Sequence, residues 1–256
     1  MRSRRRSWWA TSLVIGLAIL AACAAPVEFH EGEGLPGTIA GKLSRRSVVI
    51  AAPHGTSDAR TGDIVTEIGR RTGFSVVVAR GFNLEPDTPE QAGRRYQVNR
   101  PYEGVPGRPP SEDAATDRAR QVYEVYERKV RDAAQGPLGF YAEVHGNDDR
   151  DAANRIEIAT VGVDRDEALQ LRSLFELIRD AHLRVNREAP SLAVLVEPAD
   201  TIRYAASGAK RDGVLALARR ALHIELPRSA RTEWRETYTA ILADFLAQAV
   251  SLPAGR

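Results

Sequence analysis

The stretch SVVIAA at residues 47–52, followed directly by PHGTSD at residues 53–58, decides the fold. A continuous run of small and apolar residues, rich in valine and isoleucine, is typical of a strand that is covered on both faces. The polar residues after it predict a turn at the carboxyl end of that strand. Strands of this kind occur in layered α/β architectures, in which helices pack above and below a central sheet.

The segments that follow alternate between helix-like and strand-like patterns. A helix is predicted over residues 61–72, because Ile64 and Ile68 fall on one face and Gly73 is a typical C-terminal cap. A second buried strand, SVVVA, follows at residues 75–79. Further helices are predicted over residues 111–134, 166–183 and 232–250, and further strands over 139–144, 155–161, 192–196 and 221–226. This alternation predicts a three-layer α/β/α fold with a mostly parallel mixed central sheet, formed by one domain over residues 46–256.

The segment from Gly81 to Pro110 departs from this alternation. It contains many Gly, Pro and Arg residues and shows no periodicity. Loops of more than about 15 residues are usually functional or disordered. Ligands of open α/β sheets bind outside the carboxyl ends of the strands, which is where this segment leaves the second strand. We therefore expect it to form part of a binding site.

The N-terminal residues predict export and attachment to a membrane. Basic residues precede an apolar run at residues 8–20, and the sequence LAAC at residues 20–23 resembles the lipobox of bacterial lipoproteins, in which Cys23 receives the lipid. A transmembrane anchor is the alternative, but the run is short for a span of about 20 residues. We expect a signal peptide at residues 1–22 and a flexible tether at residues 23–45. The protein would then lie in the bacterial cell envelope, on the outside of the cytoplasmic membrane or in the outer membrane.

Charge and cysteine content limit the partners. The formal net charge of +2 includes four arginines before residue 7, so the rest of the chain is near neutral to slightly acidic. This balance argues against a nucleic-acid partner. Because Cys23 is the single cysteine, stability has to come from the core or from a bound metal rather than from a disulfide.

Histidine and acidic residues occur where two of the predicted strands end. His54 and Asp58 lie four residues apart in the turn after the first strand, and imidazole with carboxylate suits zinc. A hydrogen-bonded histidine and a helix-capping aspartate are the alternative for this pair, and Asp63 is a rival acid. In EVHGN, alternation places Glu143 and His145 on one face, with His145 at the strand end as a further metal ligand. Glu143 would orient that imidazole or form a structural ion pair.

Two further segments offer groups that can bind and transform a substrate. In VNRPYEG, the guanidinium of Arg100 and the amide of Asn99 can bind a carboxylate. In HIELPR, Glu225 ends the last predicted strand and can act as a general base, with His223 on the same face. Arg228 would bind substrate or pair with Glu225, and Glu197 is an alternative base.

In this order, the motifs APHGTSD, VNRPYEG, EVHGN and HIELPRSAR resemble the zinc carboxypeptidase superfamily. The resemblance is closest to its N-formylglutamate amidohydrolases and phage poly-γ-glutamate hydrolases. It implies zinc held by His54, Asp58 and His145, a substrate carboxylate bound by Asn99 and Arg100, and Glu225 as general base and acid. It also implies hydrolysis of an amide or peptide bond in a small peptide or acyl-amino acid, such as an acyl-glutamate, γ-glutamyl or cell-wall peptide.

Two features depart from that family. Its peptidases use a tighter His-x-x-Glu pair, whereas three residues separate His54 from Asp58 here. Its deformylating members act inside cells, whereas this sequence predicts export. The alternative is a non-catalytic lipoprotein of the same fold that binds a carboxylate ligand. A serine hydrolase is disfavoured because the sequence contains no G-x-S-x-G pentapeptide.

Overall fold

The computed structural model describes residues 27–84 and 92–253. An eight-stranded mixed sheet lies at its centre, in the order β1-β2-β4-β3-β8-β11-β9-β10. Four of the seven neighbouring strand pairs are parallel. The strands are β1 (Val27–Glu31), β2 (Thr38–Leu43), β3 (Arg45–Ala52), β4 (Phe74–Arg80), β8 (Phe140–Asn147), β9 (Arg155–Val161), β10 (Ala193–Val196) and β11 (Arg220–Pro227).

Helices and a small second sheet complete the fold. The second sheet is antiparallel, lies between β4 and β8 in sequence, and consists of β5 (Asn83–Leu84), β6 (Arg94–Tyr96) and β7 (Glu103–Gly104). The helices are α1 (Thr61–Thr72), α2 (Asp117–Ala134), α3 (Arg165–Val185), α4 (Ser207–Asp212), α5 (Arg228–Arg231) and α6 (Arg235–Ala249). No helix in the described part of the chain combines the length and apolar character needed to cross a bilayer.

Alternate residues of β3 face two separate hydrophobic cores. Ile50 packs with residues of α1, α3 and α6, whereas Val49 and Ala51 pack with residues of α2. All three side chains are completely buried. Helices therefore cover the sheet on both faces, and the three-layer α/β/α architecture expected from the sequence is confirmed.

The predicted boundaries agree with the structure where a cap defines them. Helix α1 spans the expected residues, and Gly73 after it adopts the left-handed conformation, with φ of 70°. Helix α2 begins six residues later than predicted, because the hydroxyl of Thr116, rather than Ser111, caps it by accepting from Ala119 N at 3.0 Å. Ser111 lies instead in a separate 3₁₀ turn, Pro110–Glu112.

The prediction of a flexible tether over residues 23–45 is wrong for its described part. Strands β1 and β2 pair with each other, and β2 pairs with β4, so both belong to the sheet. Ile39 of β2 is completely buried, whereas most of its neighbours are half-buried. An edge hairpin of this kind shows little apolar alternation, and its Gly and Pro residues concealed it. The predicted signal peptide and Cys23 lie outside the described residues.

Candidate metal centre and substrate cavity

Three neighbouring parallel strands bring the candidate site together. Strands β3, β8 and β11 end at the same edge of the sheet, which we call the carboxyl edge. On β8 and β11, His145 lies beside Glu225, and Glu143 lies beside His223. The turn that carries His54 and Asp58 follows β3 directly. The fold therefore brings together the histidines and acids of three separate motifs, as their predicted positions at strand ends indicated.

His54, Asp58 and His145 form an outer cluster around one carboxylate oxygen. Asp58 Oδ2 lies 3.3 Å from His54 Nδ1 and 3.2 Å from His145 Nδ1. The same oxygen accepts a hydrogen bond from Gly146 N at 3.2 Å. One ligand atom from each of the three side chains lies within 4.8 Å of the others. Two imidazole nitrogens and a carboxylate oxygen at this spacing form a donor set that suits zinc.

The second nitrogen of each histidine faces an acceptor. His54 Nε2 lies 2.9 Å from the carbonyl oxygen of Gln97. His145 Nε2 is buried and lies 3.2 Å from Glu143 Oε1, although it makes no hydrogen bond there. With a metal bound at each Nδ1, the remaining ring proton would lie on Nε2, where a nearby oxygen can accept it. The ring positions therefore fit a metal ion beside Asp58.

Glu143 is the centre of an inner cluster with Tyr141, His223 and Asn99. Its Oε1 accepts from Asn99 Nδ2 at 3.0 Å and lies 2.7 Å from His223 Nδ1. Its Oε2 accepts from the Tyr141 hydroxyl at 3.1 Å, and Tyr126 donates in turn to Tyr141 at 3.1 Å. Glu143, His145 and His223 also lie close enough to share an ion. Because three donors already occupy the Glu143 carboxylate, we assign it a supporting role instead.

The charges of the two clusters favour a bound cation. Burial raises the pKa of the Asp58 carboxyl, but His54 and His145 outweigh it, so this pKa lies well below its usual range. Burial likewise raises the pKa of Glu143, but His145 and His223 outweigh it, so this pKa also lies well below its usual range. Burial lowers the pKa of His145, but the charge of Glu143 and the hydrogen bond with Asp58 raise it to about 10. Two ionised carboxylates thus flank one imidazole, where a metal ion can replace a proton.

Glu225 lines the same cavity as the outer cluster, and one of its oxygens has no hydrogen-bond partner. The cavity has a volume of about 830 Å³ and is lined by His54, Asp58, His145 and Glu225, among others. Glu225 Oε1 lies 3.2 Å from His223 Nε2, whereas its buried Oε2 has no hydrogen-bond partner. His223 therefore links the carboxylate of Glu225 to Glu143 of the inner cluster, and Oε2 remains an acceptor without a donor. An unsatisfied buried acceptor in a cavity is typical of a functional group.

The far wall of the cavity carries two arginines on one buried carboxylate. Arg95 and Arg100 pair with the two oxygens of Asp113 at 2.9 and 3.2 Å, and only 2% of the Asp113 side chain is exposed. Arg100 lies against the backbone of α4, where a Cβ atom at position 208 would approach its Nη1 to 2.1 Å. Two guanidinium groups share one counter-charge, so this wall can accept an anion. The sequence predicted Arg100, but nothing in it distinguished Arg95 from the other arginines of the long loop.

Asn99, Arg228 and Glu197 occupy different places from those predicted. Asn99 lines the cavity but is only 4% exposed, and its amide nitrogen donates to Glu143. Arg228 lines a separate pocket, is largely exposed and pairs with Asp148 at 3.5 Å, because the chain turns into α5 at the end of β11. The described structure therefore places Arg228 in a different pocket from Glu225, and its binding of substrate stays a prediction. Glu197 pairs with Lys210 and does not line the cavity.

A loop before α4 completes the cavity and escaped the sequence analysis. Arg203 and Tyr204 line the cavity, and the backbone N–H groups of both donate to Glu157 Oε2, at 2.8 and 2.9 Å. Glu157 lies on β9 opposite Glu225 and is almost completely buried. Burial, followed by the charges of Asp149 and Glu225, raises the pKa of Tyr204. Two backbone contacts to a buried acid leave no pattern of side chains that would have revealed this loop.

Comparisons with known proteins find similarity in structure alone. No protein-family model and no curated protein matches the sequence. A bacteriophage poly-gamma-glutamate hydrolase aligns with 86% of this chain and 91% of its own length, at 12% identity and a TM-score of 0.47. A metallo-carboxypeptidase from Burkholderia cenocepacia aligns with 88% of this chain and 64% of its own length, at 12% identity and a TM-score of 0.48. Similarity at this level concerns the path of the backbone and assigns no chemistry to individual residues.

Proposed function

We propose that this chain is a zinc-dependent hydrolase that cleaves an amide or peptide bond of a carboxylate-bearing substrate. One observation carries the proposal. The Nδ1 atoms of His54 and His145 face the same oxygen of Asp58 at 3.3 and 3.2 Å, at the floor of a cavity that also receives Glu225. Three protein ligands with an accessible side are the arrangement of catalytic rather than structural zinc sites.

Each side chain has a distinct task in this proposal. Zinc, when bound by His54, Asp58 and His145, supplies a Lewis acid that activates water and polarises a carbonyl group. Glu225 takes a proton from the attacking water through Oε2 and delivers it to the leaving amine. His223 keeps the other oxygen of Glu225 in place from behind. Because the ring of His223 is itself held by Glu143, the base has a fixed orientation before substrate arrives.

The far wall of the cavity supports a carboxylate-bearing substrate. Arg95 and Arg100 are both about one-fifth exposed and reach the cavity beside the outer cluster. A guanidinium group binds a carboxylate through two parallel hydrogen bonds. We propose acyl-glutamates, γ-glutamyl peptides and cell-wall peptides as the substrate class. We expect Arg100 to bind the carboxylate equally in ground and transition states, so that Arg100→Ala raises KM more than it lowers kcat.

The location proposed for the enzyme is the bacterial cell envelope. A basic N-terminus, a short apolar run and LAAC before residue 24 support a lipid anchor at Cys23. We propose that the mature protein is attached by this lipid to the outside of the cytoplasmic membrane or to the outer membrane. An enzyme at that place meets exported peptides and cell-wall fragments.

Zinc content tests the proposed function directly. The protein is prepared from residue 24 to residue 256, since both cores and every described strand lie within residues 27–253. Elemental mass spectrometry should find about one zinc per chain in the wild type and none in His54→Ala or His145→Ala. Glu225→Gln is the matched control, which should keep zinc but lose about 100-fold or more in kcat on whichever acyl-glutamate, γ-glutamyl peptide or cell-wall peptide the wild type cleaves. A wild type that binds no zinc after incubation with the metal would instead support the non-catalytic carboxylate-binding lipoprotein.

A further inference from the structure

The edge of the sheet opposite the candidate site carries an arginine-lined pocket. Parallel strands β3, β8 and β11 begin at this amino edge. A pocket of about 330 Å³ lies there and contains Arg45, Arg46, Arg219 and Arg220, and none of the residues that line it is acidic. We call it the amino-edge pocket. Its composition contrasts with the carboxyl edge, where acids and histidines converge.

Two of the four arginines have neither an ion pair nor an aromatic contact among the described residues. Arg220 is buried, pairs with Glu167 at 3.3 Å and donates to the carbonyl oxygens of Ala249 and Leu252. Arg45 lies over the ring of Phe74, 5.2 Å from its centroid. Arg46 and Arg219 are exposed and make no ion pair with any described residue. Like charges gathered without counter-charges repel one another, and an anion from outside the chain would relieve that repulsion.

The apolar rim and the path of the chain indicate which anion. Half-buried Val250 and Leu252 line the same pocket as the arginines. Strand β1 begins at the same edge, because Val27 pairs with Leu43, two residues before Arg45. Cys23 lies four residues before Val27, a reach of only about 13 Å at 3.3 Å per residue. A lipid on Cys23 would therefore hold the amino-edge pocket close to a membrane.

We propose that the amino-edge pocket docks the domain on a membrane surface that contains anionic phospholipid, with Arg46 and Arg219 contacting lipid phosphates. Basic side chains near such a surface are attracted to it, and apolar side chains at its boundary add to the binding. The candidate cavity lies at the opposite edge and faces away from the membrane. This orientation rests on the lipid anchor proposed above, whereas the affinity for anionic lipid does not.

Vesicle binding tests the docking surface apart from the anchor and from catalysis. Protein from residue 24 to residue 256 is sedimented with vesicles of phosphatidylcholine alone or of phosphatidylcholine mixed with phosphatidylglycerol. We expect binding only to the anionic vesicles, and weaker binding as salt is added, because salt screens exposed charges. The double variant Arg46→Glu, Arg219→Glu should lower the partition coefficient about tenfold or more. Its zinc content should remain that of the wild type, because both residues lie far from the outer cluster.

A matched double variant separates a local surface from a general effect of charge. Arg184→Glu with Arg187→Glu makes the same change in net charge at exposed positions beside the start of β10, at the carboxyl edge. This control should bind anionic vesicles as well as the wild type does. An equal loss in both double variants, or equal binding to neutral vesicles, would overturn the proposal. Displacement by inorganic phosphate at constant ionic strength would also overturn it, and would identify a phosphate site instead.

A fluorescent label can report which edge meets the membrane. Cys23 is the only cysteine, so protein from residue 24 onward allows a polarity-sensitive dye at Leu252→Cys or, as control, at Ala181→Cys, an exposed position of α3. Anionic vesicles should shift the emission of the dye at position 252 to shorter wavelength and leave that at position 181 unchanged. A shift at position 181 alone would show the opposite orientation and contradict the proposal.

Discussion

The outer and inner clusters use the same side-chain chemistry but differ in what their polar atoms contact. In the outer cluster, Asp58 and His54 border a cavity and are partly exposed. In the inner cluster, Glu143 is completely buried, and donors from three side chains occupy both of its oxygens. The comparison teaches that ionisable groups at one strand end can be divided into those that bind a ligand and those that hold the ligands in place. The two clusters should therefore respond differently to mutation.

The largest effect should come from removing the centre of the inner cluster. Glu143→Ala leaves His223 and the amide of Asn99 buried without their acceptor. Breaking a buried ionic network in this way costs about 3–5 kcal/mol. We expect that loss in the free energy of unfolding of the metal-free protein, measured in urea. A change below about 1 kcal/mol would contradict the distinction between the clusters.

The next effect concerns the outer cluster and depends on zinc. A ligand that binds only the folded state stabilises it by about 2.7 kcal/mol at 100 times its dissociation constant. We expect zinc to raise the thermal midpoint of the wild type but not that of His54→Ala. Without metal, the two proteins should differ by less than about 1 kcal/mol, because His54 borders a cavity rather than the core. An equal response of both proteins to zinc would place the metal elsewhere.

A smaller effect should follow from loosening the inner cluster at its edge. Tyr141→Phe removes one hydrogen bond to Glu143 and the acceptor for Tyr126. A hydrogen bond to a charged group contributes about 1.5 kcal/mol or more, so urea unfolding should show a loss of that size. Tyr126→Phe, one step farther from the carboxylate, serves as control and should cost less. The reverse order would mean that the hydroxyls stabilise each other rather than Glu143.

The smallest effect should come from Arg228, which belongs to neither cluster. Its side chain is 71% exposed, and its contact with Asp148 is a surface ion pair. Arg228→Ala should change the free energy of unfolding by less than about 0.5 kcal/mol and leave KM unchanged. A rise in KM comparable with that of Arg100→Ala would support Arg228 as a substrate-binding residue.

The sequence predicts the central layers well because burial on both faces leaves a strong pattern. Strand β3 and helix α1 follow from runs and spacings of apolar residues, and their ends carry turn residues or a glycine cap. Strands β1 and β2 were missed because an edge hairpin buries few side chains. Residue Ile39 alone of β2 is fully buried, and one buried residue makes no periodicity.

The candidate site shows a similar division between residues whose positions follow from their strands and residues whose roles depend on partners distant in sequence. His145 and Glu225 could be placed from the sequence because each lies close to the carboxyl end of a buried strand. The supporting role of Asn99 could not be predicted from the sequence, because its partner Glu143 lies 44 residues away. Arg95 escaped for the same reason, since its orientation depends on Asp113, 18 residues later. Pairings of this kind arise only when the chain has folded.

The pairing of β1 has a mechanical consequence. Among the described strands, β1 contacts only β2, and its five residues pair with β2 from Val27 opposite Leu43 to Glu31 opposite Ile39. Interstrand hydrogen bonds lie perpendicular to the strands, so a pull on the chain before Val27, along the strand axis, loads all of them together in shear. Force spectroscopy from residue 24 should therefore record one high rupture event rather than gradual peeling.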